Sequence, residues 1–78
     1  MWYKIEATIQ IYPDIPQATK LLSLYLEAND QKYLKQVIEK ALAQFYEDER
    51  IGFARDDEGN LTDDFKQFFK NQVEWHIS

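Results

Sequence analysis

The chain has 78 residues, 29% of them charged and 15% aromatic, with no cysteine and a formal net charge of −5. A chain of this length forms one small domain that buries only about 60% of its unfolded surface, and without cysteine it has neither a disulfide nor a thiolate metal site to staple it. The acidic balance speaks against a phosphate backbone as ligand, because a negative field repels phosphates and attracts basic surfaces.

Tyr3, Ile5, Ala7, Ile9 and Ile11 alternate with Lys4, Glu6, Thr8 and Gln10. That period of two predicts a strand from Trp2 to Tyr12 with one buried and one wet face. Pro13 stops it, and Asp14 is placed to cap a helix from about Ile15 to Ala28, with Gln17 three residues on. Within this helix five of the six residues from Leu21 to Leu26 are apolar and spread around more than one face. If Ala18, Leu22 and Tyr25 face the sheet, Leu21, Leu24 and Ala28 are left uncovered, which points to a homodimer contact. Asn29 and Asp30 end this helix and cap the next.

Leu34, Val37, Ile38, Ala41, Leu42 and Phe45 fall at helical spacing opposite Lys32, Lys35, Glu39 and Lys40, predicting a core-facing helix from about Gln31 to Asp48. Arg50 to Arg55 reads as a short strand, closed by the turn-forming run Asp56-Asp57-Glu58-Gly59-Asn60. Thr62 is a good N-cap for a third helix that carries Asp63 and Asp64 in its first turn, Phe65, Phe68 and Phe69 on one face, and reaches about Asn71. Val73 to Ile77 alternates again as a terminal strand. The expected fold is α+β, one domain spanning residues 1–78, in the order β-α-α-β-α-β. Its three-stranded, mainly antiparallel sheet has strand one in the centre and the helices packed on one face.

No run approaches the roughly 18 apolar residues of a membrane span, and Met1-Trp2-Tyr3-Lys4 lacks the layout of a signal peptide. A cytoplasmic protein is expected. His76 is the only imidazole, and its strand parity turns it away from Val73, Trp75 and Ile77, so it reads as a solvated residue and not a catalytic one. The hydroxyls of Thr8, Thr19, Ser23, Thr62 and Ser78 lie in no nucleophile-elbow context. An EF-hand reading of the 56–60 turn fails, because Gly59 at the sixth position puts Ala54 first and Phe65 twelfth, where carboxylates are required. A loose divalent site on Asp56, Glu58 and Asp63 is the weaker alternative to a solvated turn. No catalytic residue, cofactor or metal is expected.

Charge asymmetry is the main functional signal. Up to Phe45 five acids are balanced by five lysines, whereas from Tyr46 onward nine acids face Arg50, Arg55, Lys66 and Lys70. Eight of those nine form a belt: Glu47, Asp48, Glu49, Asp56, Asp57, Glu58, Asp63 and Asp64. The belt can dock on a basic protein surface, imitate nucleic-acid phosphates, or serve only solubility and helix dipoles. Trp2 and Tyr12, on the polar side of strand one, are candidate interface anchors. Together these features suggest a non-enzymatic, acidic interaction module that binds a basic partner. Size and charge alone suggest the inhibitor, immunity, antitoxin or anti-defence types. The alternative is a small regulatory or structural subunit of a larger assembly. An enzyme with a carboxylate site comes third.

Overall fold

A computed structural model describes residues 1–12 and 14–78. The elements, in chain order, are strands β1 (Trp2–Gln10) and β2 (Thr19–Glu27), helices α1 (Gln31–Asp48) and α2 (Asp63–Gln72), and strand β3 (Glu74–Ile77). The sheet order is β2-β1-β3, with β1 central and antiparallel to both neighbours. That α+β arrangement is the one the alternation of β1 implies. Tyr3, Ile5, Ala7 and Ile9 are buried while Trp2, Lys4 and Thr8 are exposed, so a single face of the sheet carries the helices.

Two predicted elements are replaced. The segment expected to be a helix from Ile15 to Ala28 is instead a tight loop followed by β2. Pro16 and Gln17 occupy the centre of a turn in which Ala18 N–H donates to the Ile15 carbonyl at 3.1 Å, a position that suits proline. From Thr19 on, the chain pairs with β1 in continuous register from Gln10↔Thr19 to Trp2↔Glu27. Nine ladder positions to an adjacent strand outweigh the helix preference of leucine, which is a weak prior. Strand one is correspondingly two residues shorter than its pattern, and its expected stop at Pro13 lies outside the described residues.

The second replacement is the expected strand from Arg50 to Arg55, of which only an isolated bridge, Arg55↔Leu61, forms. With β2 and β3 on its two edges, β1 offers no slot for it. Instead α1 closes in a Schellman motif: Ile51 N–H donates to the Tyr46 carbonyl at 2.9 Å and Arg50 N–H to the Glu47 carbonyl at 3.0 Å. Arg50 takes the left-handed position, φ 60°, where glycine is usual. The described order is therefore β-β-α-α-β, with two helices where three were expected.

The other elements follow their local signals. Asp30 caps α1 by accepting from Lys32 N–H at 2.9 Å, and Thr62 caps α2 by accepting from Phe65 N–H at 3.1 Å. The α1 stripe buries Leu34, Ile38, Leu42 and Tyr46, and α2 buries Phe65, Phe68 and Phe69. Tyr46 organises the junction between them. Its ring is fully buried and meets those of Phe45, Phe53, Phe65 and Phe68 edge-on at 4.9–6.1 Å, the geometry aromatic quadrupoles favour. Its hydroxyl donates to the Gln10 carbonyl. β3 pairs only as far along β1 as Thr8, so the phenol satisfies a backbone acceptor that the sheet leaves open.

Candidate interaction surface

The acidic segment leaves α1 beside the end of β1, because Tyr46 is held to Gln10. Glu47, Asp48 and Glu49 finish the helix, Asp56, Asp57 and Glu58 form the tip of a small hairpin, and Asp63 and Asp64 open α2. The hairpin closes through Asp56 N–H to the Asn60 carbonyl at 2.9 Å and Gly59 N–H to the Asp56 carbonyl at 3.0 Å. Gly59, at φ 85°, supplies the left-handed residue that such a bulged turn needs. All eight belt carboxylates are exposed. Against Arg50 and Arg55 they leave a formal −6 in this segment, so the remainder of the chain is close to neutral.

The fold uses some of these acids and leaves others idle. Glu47 receives the Arg55 guanidinium at 3.2 Å, and the same arginine also donates to the Gly59 carbonyl at 2.8 Å. Asp48 accepts from Gln44 at 2.9 Å. The Asp56 carboxylate accepts from Glu58 and Asn60 N–H, both at 2.9 Å, so it shapes the turn. Asp63 and Asp64 sit in the first turn of α2, where the helix dipole favours negative charge. Glu49, Asp57 and Glu58 have no side-chain partner among the described residues. Among the described residues no three His, Asp or Glu side chains converge as a metal site.

Trp2 and Tyr12 do not form one surface. Both are exposed, but Trp2 starts β1 and Tyr12 follows its end, more than about 27 Å of strand away. Trp2 instead stacks on Tyr25 of β2, with ring centroids 5.1 Å apart. Tyr25 was expected to face the sheet from a helix. As a strand residue it lies on the open face, 68% exposed, and the signal that could have found it is the alternation of Leu22, Leu24 and Leu26 with Leu21, Ser23 and Tyr25. The same alternation corrects the helical dimer contact, since Leu21 lies on the open face, Leu24 on the helix-covered face, and Ala28 is buried beyond the end of β2.

His76 projects from the open face opposite Glu6, its Nε2 3.9 Å from the carboxylate, and it is exposed as its parity implies. A shallow cleft of about 440 Å³ beside α2 is lined by Phe53, Phe68, Asp64, Gln67, Asn71 and Gln72. It holds one carboxylate and three carboxamides. No helix among the described residues is long and apolar enough to cross a membrane. Comparison with protein-family models, with curated proteins and with solved structures finds no match, so the functional reading rests on geometry and charge.

Proposed function

We propose that the protein is a non-enzymatic interaction module whose acidic segment docks on a basic surface of a partner protein, in the manner of small inhibitor, immunity, antitoxin or anti-defence proteins. The observation that supports this reading is the set Glu49, Asp57 and Glu58: three exposed carboxylates with no structural employment, inside a segment of formal charge −6. Keeping such charges together costs self-repulsion, and a basic partner removes that cost. The segment is also braced by the Schellman closure, the Arg55 contacts and the Thr62 cap, so little ordering accompanies docking.

The test is affinity capture from the native cell with the wild-type chain and with Glu49→Lys, Asp57→Lys and Glu58→Lys combined. Asp56 is left intact because it forms the turn. The expected outcome is a partner that elutes from the wild type with rising salt, is lost with the triple variant, and associates more slowly as ionic strength increases. Capture of the same proteins by both chains refutes the reading.

A further inference from the structure

Strand β2 has the composition of an interior strand in the position of an edge strand. Leu22, Leu24 and Leu26 lie on the face covered by the helices, Leu21 and Tyr25 on the other, and no charge occurs from Leu21 to Leu26. Strands apolar on both faces are normally covered on both. Yet none of the nine residues of β2 is fully buried, and Leu21 is 59% exposed. The opposite edge, β3, has only four residues, a short edge that discourages pairing.

Ladder parity identifies the free backbone. Met1 and Ala28 exchange both hydrogen bonds, at 3.0 and 2.9 Å, and Ile11 N–H donates to the Ala18 carbonyl at 2.7 Å. Bonded pairs recur at every second residue of an antiparallel ladder. Lys20, Leu22, Leu24 and Leu26 therefore turn their backbone groups toward β1, while Thr19, Leu21, Ser23, Tyr25 and Glu27 turn theirs outward. Thr19 N–H is taken by the Gln17 carbonyl at 3.1 Å. The N–H groups of Leu21, Ser23, Tyr25 and Glu27 have no partner among the described residues.

We propose that β2 pairs antiparallel with β2 of a second copy of this chain, about a two-fold axis through Ser23, joining the two three-stranded sheets edge to edge. The outward-facing set is symmetric about Ser23, as an isologous contact requires, and a small side chain stands where the axis makes identical residues meet. In this register Leu21 faces Tyr25 of the second copy on the open face, and Leu22 faces Leu24 beneath. Aromatic-aliphatic cross-strand pairs of this kind stabilise a sheet. The Trp2–Tyr25 stack extends the apolar strip on both sides of the seam. The antiparallel sense also keeps like charges apart: in this register Glu27 faces Thr19 of the second copy, and the two Glu27 residues stand about 27 Å apart. A foreign strand has no need of this symmetry.

Sedimentation equilibrium over a concentration series, with amide hydrogen exchange on the same samples, tests the pairing. The wild type is expected to dimerise, with the amides of Leu21, Ser23, Tyr25 and Glu27 becoming protected as concentration rises. Those of Leu22, Leu24 and Leu26 are protected at every concentration. Leu21→Lys places a charge at the seam on an already exposed position, and Ser23→Pro removes an outward N–H that β1 does not use. Each is expected to weaken the dimer by about tenfold or more, and Leu21→Lys is expected to keep the monomer's cooperative melt. A wild type that stays monomeric at all concentrations, a dimer whose four outward amides exchange freely, or a dimer unaffected by Leu21→Lys overturns the proposal.

Discussion

Removing the Tyr46 hydroxyl gives a prediction with two separate signatures. The ring is fully buried among four phenylalanines and its hydroxyl donates to the Gln10 carbonyl. Tyr46→Phe keeps the packing and deletes the bond, leaving a partly buried acceptor unpaired at a cost of about 1–2 kcal/mol. Burial also pushes the Tyr46 phenol up from 10.0 to about 12, because the ionised form loses its hydration. A folded-state pKa above the unfolded one means that the neutral phenol's advantage is complete below pH 10 and is lost as pH rises through about 12. Two pH units correspond to about 3 kcal/mol. The phenylalanine variant has no ionisable group at this position. Urea melts of both proteins should therefore show the wild type ahead near neutrality, the gap narrowing above pH 10, and the order reversing near pH 12. Equal stability at neutral pH would refute the hydrogen bond, and a gap that stays constant through the alkaline range would refute the desolvated phenol.

Other positions give shorter tests. Ile9 is 1% exposed on the covered face of β1, so Ile9→Asp buries an unpaired carboxylate at a cost of several kcal/mol, against a total stability of about 5–15 kcal/mol. Its cooperative thermal melt should vanish, while Thr8→Lys, one residue away on the open face and opposite Glu74, should melt as the wild type does; the reverse pattern would invert the register. Arg50 holds φ 60° at the end of α1, where a left-handed side chain costs about 1–2 kcal/mol, partly offset in a glycine variant by greater freedom of the unfolded chain. Arg50→Gly is expected to raise stability by about 0.5–1 kcal/mol and Arg50→Val to lower it, both read by urea denaturation; a destabilised glycine variant would mean that the arginine side chain holds the turn.

The elements legible in the sequence are those whose determinants lie within a few residues. The alternation of β1 defines its buried face, the stripe from Leu34 to Phe45 and the Asp30 cap define α1, and Thr62 with the three phenylalanines defines α2. His76 is exposed for the same local reason: it has the opposite parity from Trp75 and Ile77. The bias of charge toward the 47–64 segment is likewise plain from composition. Segment 19–27 is different. Its leucines favour a helix when only local preference is weighed, and it becomes a strand because β1 presents a matching ladder one short loop away, a long-range interaction that no local window contains. Once β2 and β3 hold the two edges of β1, residues 50–55 have no place beside the central strand, and the Schellman turn and aromatic cluster take them instead. Tertiary structure also divides the acidic belt into residues that hold turns, caps and an ion pair and residues left free. That division depends on which N–H and guanidinium groups the fold brings within reach, and charge counting carries no information about it.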